Sequence, residues 1–315
     1  MWRWLLTWLL LSQASLVYAG DSWQLLQIAA DSARQLSYRG IFVYQTGSNT
    51  RSVQITHMNY GQGEYARSIV LDGSPREVLS QGSELVIYSP KNEKVVITKR
   101  RAQTLFPALL PPETDELKAS YEVRMGGQER VGGRIGQVVF LDSRDQYRYG
   151  YKFWTDQQYG LILKSVTFNE NNDPVEQITF TQLTLLDTKE MDWFQPNVDP
   201  TKSYVMEEEP VALTSADLDL IEITQLPPGY RKIDQVKRMV PGKRDPVTHF
   251  IFSDGLATVS LFIEPLNKRH PKIGPYAMGA TNFYTQINDE YQIVAVGEVP
   301  AATVAQLANA VKFKK

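Results

Sequence analysis

The sequence predicts a β-rich α+β protein, in which a large curved sheet or partly open antiparallel barrel precedes a smaller α+β unit. Three observations predict it. Runs of apolar and polar residues alternating with a period of two recur at roughly ten-residue spacing along most of the chain. Helical patterns do not alternate with them, which argues against a parallel α/β sheet. Two such series are separated at 188–213 by weakly patterned chain containing Pro196, Pro200, Pro210 and the run Glu207-Glu208-Glu209, which reads as a linker. The length, 315 residues, favours two domains.

The chain opens with Arg3, an apolar stretch at 4–11, and the small-residue site Val17-Tyr18-Ala19 before Gly20. This is the pattern of a secretory signal peptide over 1–19, cut after Ala19. The stretch is shorter than the ~20 residues a membrane span needs. No cysteine follows the site, so anchoring through a lipidated N-terminal cysteine is not expected. The whole chain lacks cysteine, which excludes disulfides, thiol nucleophiles and cysteine metal sites.

After the signal, Asp21 or Ser22 is placed to cap a helix carrying Leu25, Leu26, Ala29, Ala30, Ala33 and Leu36 at helical spacing. From Tyr38 the period becomes two. Tyr38, Gly40, Phe42 and Tyr44 share one strand face, and Val53, Ile55 and His57 another. Further strands are expected at 65–71, 76–79, 84–88 and 94–99, with Asp72-Gly73 as a hairpin turn.

The rhythm breaks at Thr104-Leu105-Phe106-Pro107-Ala108-Leu109-Leu110-Pro111-Pro112, which no central strand accommodates. Apolar residues in a proline-broken connection either plug the core or form a movable flap over an apolar space. Leu105, Phe106, Leu109 and Leu110 are therefore the candidate lipid-binding residues, near a cavity entrance. A short helix is expected over 113–120. The next strand places Tyr147, Tyr149, Tyr151 and Phe153 on one face, with Arg148, Lys152 and Trp154 on the other. A hairpin joins 161–168 to 175–186.

The second unit opens at Gln225-Leu226-Pro227-Pro228-Gly229-Tyr230. Strands are expected at 248–252 and 256–264, joined through Asp254-Gly255, and at 281–287 and 291–297 after an irregular stretch over 265–279. A closing helix carries Val304, Leu307, Ala308 and Val311. From Tyr230 onward the chain has 12 Lys and Arg against 7 Asp and Glu, while the rest has 21 against 28. A basic second unit suggests an acidic partner or an anionic surface, and equally suits a solvated basic face.

Catalytic signals are weak. Gly61-Gln62-Gly63-Glu64-Tyr65-Ala66 lies between two strands and lacks the helix N-terminus a dinucleotide loop requires. Asn169, Asn171 and Asp173 mimic the start of a calcium loop, but Pro174 stands where the sharp-turn glycine belongs. His57, His249 and His270 are scattered, and Asp142 and Asp145 beside Arg144 and Arg148 read as a charged strand end. No catalytic residue, metal ligand or cofactor is assigned, and no enzyme is expected.

Leu71-Asp72-Gly73-Ser74-Pro75-Arg76-Glu77-Val78, Arg130-Val131-Gly132-Gly133-Arg134 and Arg144-Asp145-Gln146-Tyr147-Arg148-Tyr149-Gly150-Tyr151 resemble segments of the RseB/MucB family of periplasmic regulators. So do Pro227-Pro228-Gly229-Tyr230, Ser253-Asp254-Gly255-Leu256 and Val296-Gly297-Glu298-Val299-Pro300. The likeness runs in order over essentially all of the chain beyond the signal. It departs in lacking the cysteines some members carry.

The resemblance implies a LolA/LolB-like half-open β-barrel with an apolar cavity, here 20–187, and a small α+β domain, 214–315, that binds the anti-sigma factor. The implied partner is the periplasmic domain of an anti-sigma factor of the RseA/MucA type, shielded from a site-one protease and released when lipopolysaccharide or another acyl-chain ligand binds. The implied location is the periplasm, with no nucleic-acid partner; a homodimer stays open, and no residue is assigned to partner contact. The rival readings are a periplasmic lipoprotein or lipid carrier of the LolA type, which has no need of a basic appended unit, and an enzyme acting on envelope glycans or lipids.

Overall fold

The computed structural model describes residues 19–61, 63–82, 84–89, 94–99, 105–187, 190–195, 201, 205–206, 210–214, 220–240, 245–266 and 272–314. Residues 1–18, which hold most of the expected signal peptide, lie outside them, as do Thr104 and the Glu207-Glu208-Glu209 run.

Helix α1 (Ala19–Gln35) buries Leu26, Ala29, Ala30 and Ala33. Their spacing puts them on one stripe, and small alanines let the helix lie close against the sheet. Asp21 and Ser22 lie within this helix instead of capping it.

Two antiparallel meanders build the large sheet. The first runs through β1 (Tyr38–Thr46), β2 (Asn49–Tyr60), β3 (Gly63–Val70), β4 (Glu77–Gln81), β5 (Glu84–Ser89) and β6 (Lys94–Lys99). The second runs through β7 (Tyr121–Val131), β8 (Arg134–Ser143), β9 (Gly150–Asp156), β10 (Ile162–Phe168) and β11 (Pro174–Leu185). Pairing of β1 with β11 joins the meanders, and β12 (Val205–Met206) adds in parallel to β6 to complete twelve strands. The sheet is open, with β12 and β7 as its edges. It curls strongly: a Cβ on Gly132, whose φ is +55°, would stand 2.8 Å from the Phe180 carbonyl oxygen on β11. Only glycine admits that approach.

The second sheet has seven strands in the order β13 (Val211–Ala212), β15 (Arg231–Arg238), β16 (Val247–Ser253), β17 (Thr258–Pro265), β20 (Tyr291–Gly297), β19 (Thr281–Asn288), β18 (Gly274–Met278). Helix α2 (Ala301–Asn309) packs Val304, Leu307 and Ala308 onto Phe250, Leu261, Ile293 and Ala295. A two-stranded ribbon of β14 (Ile221–Ile223) and β21 (Val311–Phe313) flanks it, so Val311 belongs to a strand and not to the closing helix.

Three other segments differ from expectation. The helix expected at 113–120 is one 3-10 turn, Thr114–Leu117. The stretch at 265–279 contains β18, an edge strand, which is where a proline such as Pro275 is tolerated. The 188–213 segment is stitched to both sheets: β12 pairs with β6, β13 pairs with β15, and Arg39 lies 4.2 Å over the Trp193 ring.

A cavity and a polar lock between two units

The concave face of the large sheet presents a cavity of about 490 Å³. Its sheet wall follows from strand periodicity. Phe42 and Tyr44 on β1, Tyr151 and Phe153 on β9, Ser165 and Thr167 on β10, and Glu176 and Ile178 on β11 are each two residues apart and face the same side. Strand register aligns them in two rows, Phe153–Ser165–Ile178–Tyr44 and Tyr151–Thr167–Glu176. Leu105, Phe106 and Leu109 of the proline-rich connection form a second wall. The third wall comes from the other unit: Leu256, Ala257, Thr258, Ala280 and Glu298.

The proline-rich connection is pinned by α1. Gln27 accepts hydrogen bonds from the Thr114 backbone N–H and hydroxyl and donates to the Pro112 carbonyl, and Arg34 donates to the Leu110 carbonyl at 2.6 Å. Side chains of the helix thus satisfy carbonyls that no strand partner reaches. Phe106 wedges between Phe42 and Phe180, with ring centroids 5.1 and 4.7 Å away. Leu105, Phe106 and Leu109 therefore border the cavity, whereas Leu110, fully buried among Leu26, Leu117 and their neighbours, belongs to the core beneath it. The apolar residues plug the core and line the space at once.

The polar side chains in the cavity bear hydroxyls, apart from the carboxyls of Glu176 and Glu298. The Tyr44 hydroxyl donates to Glu176 at 2.9 Å. Burial, and next the Glu298 carboxylate, push the Glu176 carboxyl up to about 7. Burial raises the Tyr149 hydroxyl to about 12, and desolvation raises Glu298 as well.

Beside the cavity the two units are locked together through Arg148. Its Nε lies 3.2 Å from Asp254, its Nη1 2.8 Å from Asp145, and its Nη2 donates to the Pro228 carbonyl. Tyr121 donates to the same Asp254 at 3.2 Å, and the other Asp254 oxygen accepts the backbone N–H groups of Leu256 and Ala257. The guanidinium also lies 5.7 and 5.6 Å from the Tyr121 and Tyr230 ring centroids. Burial first, then Asp254, holds the hydroxyls of Tyr121 and Tyr230 well above the ordinary tyrosine range. The Tyr147 carbonyl accepts from both Tyr230 and Thr303, and Asn282 donates to the Tyr149 hydroxyl. Each core borrows from the other unit: Leu256 packs on the first and Tyr147 on the second.

Residues 21–198 match the MucB/RseB N-terminal domain family and residues 218–312 the MucB/RseB C-terminal domain family. The chain belongs to the MucB/RseB family. It is 30% identical over 309 residues to the sigma factor AlgU regulatory protein MucB of Pseudomonas aeruginosa, covering 93% of this chain and 92% of that protein. It is 24% identical to the sigma-E factor regulatory protein RseB of Escherichia coli over 98% of this chain and 96% of that one. The Pseudomonas aeruginosa MucA/MucB complex superposes with a TM-score of 0.74 at 27% identity, over 94% of this chain and 99% of the matched chain. A crystal structure of MucB gives 0.68 at 26% identity, over 93% and 98%. MucB/RseB proteins are regulatory binding proteins, not enzymes, and this chain is one of them.

Three of the sequence segments that resemble this family, 144–151, 227–230 and 253–256, meet physically at Arg148. The sequence places Arg148 on the strand face opposite Tyr147 and Tyr149, but β9 starts only at Gly150. Residues 145–149 form a turn fixed by Asp145, whose Oδ1 accepts the Tyr147 N–H at 2.9 Å. Asp142 does sit in a charged surface pair, with Arg124. Asn169, the mock calcium ligand, accepts the N–H groups of Asn171 and Asp173 and so closes the β10–β11 turn. Glu176 and Glu298 were missed as cavity residues.

Proposed function

We propose that this protein acts in the periplasm, where it binds the periplasmic segment of an anti-sigma factor of the RseA/MucA type, shields it from proteolysis, and releases it when an acyl chain of lipopolysaccharide or a related lipid enters the cavity. The observation that carries this reading is the cavity's shared wall: Leu105 and Leu109 come from the first unit and Leu256, Ala257 and Glu298 from the second. A ligand seated there contacts both units, so its affinity depends on how they are placed, and any partner sensitive to that placement is linked to it. The volume of about 490 Å³ suits such a ligand, since small-molecule sites span roughly 300–1,000 Å³. Burying a dozen methylenes at about 0.8 kcal/mol each supplies ~10 kcal/mol gross, enough to outweigh ordering costs.

MucB of Pseudomonas aeruginosa has been crystallised bound to MucA, and the same fold over 94% of this chain supports a partner of that class here. Within this reading, residues 214–315 contribute partner affinity through their basic balance, and the curled sheet supplies most of the lipid site. The test is cleavage of the anti-sigma periplasmic segment by a site-one protease. Equimolar protein is expected to slow cleavage, and added lipopolysaccharide to restore it. Cleavage at the same rate with and without the protein would rule the reading out.

A further inference from the structure

The chemistry of the cavity wall restricts what kind of headgroup accompanies the chain. Among the described lining residues there is no lysine or arginine, and the carboxylic acids are Glu176 and Glu298, one from each unit. Glu176 stands on β11 between Thr167 of β10 and Thr46 of β1 and is held by the Tyr44 hydroxyl. Glu298, between β20 and α2, is solvent-exposed and has no hydrogen-bond or ion-pair partner among the described residues. It therefore reaches the cavity from its mouth. An anionic head drawn inside would meet two carboxyl groups and no cation among the described lining residues, the exposed Arg51 of β2 acting only from outside, opposite Tyr44, and low-polarity surroundings make that arrangement unfavourable. An ammonium would meet the reverse, two acceptors lacking a cationic partner on an apolar wall.

We propose that the cavity selects amphiphiles by headgroup, seating an alkyl or acyl chain whose head carries a primary ammonium against Glu176 and Glu298 and disfavouring chains ending in carboxylate or phosphate. This rests on the reading of the cavity as an acyl-chain site and adds a charge rule to it. Phosphate-bearing lipids then enter only with that charge left outside the mouth. The raised carboxyl of Glu176 accords with the same geometry, because a buried acid without a cation holds its proton.

The test is displacement of the uncharged fluorophore N-phenyl-1-naphthylamine from the purified full protein. Dodecylammonium, dodecyl maltoside and dodecanoate are compared near neutral pH, each below its micelle-forming concentration. Dodecylammonium is expected to displace the probe at a concentration about tenfold lower than dodecanoate. Glu176→Gln and Glu298→Gln should each shrink that preference; Glu298→Gln, at an exposed position, keeps the test interpretable if the buried variant folds poorly. Equal affinity for the three amphiphiles, or preference for dodecanoate, overturns the charge rule and leaves the acyl-chain reading standing. A preference that survives both glutamine variants overturns the assignment to these residues. Failure of all three amphiphiles to displace the probe overturns the acyl-chain reading and the charge rule together.

Discussion

Arg148 and Asp254 meet 3.2 Å apart across the boundary between the two units, with side chains only 1% and 0% exposed. A buried arginine is tolerated only where its charge and N–H groups are matched, and Asp254, Asp145 and the Pro228 carbonyl do this. The first unit's guanidinium is thus shared between Asp145 of its own unit and Asp254 of the second, so the Arg148–Asp254 pair reports on their docking.

Asp254→Ala leaves the Arg148 charge buried beside Asp145 alone. The expected cost is about 3–5 kcal/mol, and calorimetry should resolve two melting transitions for the variant and one for the wild type. The double variant R148M/D254L, which removes both charges, should lose less stability than either single change.

Gly229 has φ +76°, and a Cβ there would fall 2.7 Å from the Ser120 hydroxyl and 3.0 Å from Arg148 Nη2. Gly229→Ala therefore combines backbone strain with a clash at the lock, at a cost of about 1–3 kcal/mol by chemical denaturation.

Much of the fold was legible in the sequence because strand alternation is local. The pairs Phe42/Tyr44 and Tyr151/Phe153 face the cavity just as a period of two requires. The lock was not legible, since Arg148 and Asp254 are 106 residues apart and pairing at that distance leaves no local pattern. Glu298 escaped for the same reason, although it lies within a segment that resembles the family. Leu105, Phe106 and Leu109 were found through their odd placement among prolines, but nothing in the sequence separates Leu109 from Leu110. Their difference arises from how Arg34 and Gln27 orient the connection.

That difference is testable. Leu110 is fully buried in the first core, so Leu110→Asp should prevent stable folding. Leu109 borders the cavity and is only partly buried, so Leu109→Asp should retain the fold, seen by circular dichroism, and weaken binding of a dodecyl-chain ligand about tenfold or more.

The Glu176 carboxyl sits near 7 against an ordinary 4.5, raised by burial and then by Glu298. The folded state binds this proton more tightly than the unfolded one. Its contribution to stability is therefore full below the ordinary value and is lost as pH rises through about 7. Glu176→Gln cannot lose a proton, so thermal melts should show its stability exceeding that of the wild type on the alkaline side of 7. The expected gain is on the order of 2 kcal/mol, shrinking as pH falls.

Under the proposed function, cavity occupancy and partner binding are linked through the junction of the two units. Isothermal titration of the anti-sigma periplasmic segment into the full protein, with and without saturating acyl-chain ligand, measures this directly. The ligand should weaken segment binding, and the segment should weaken ligand binding by the same factor, as reciprocity demands. Segment affinity that does not change when the cavity is filled would contradict the account.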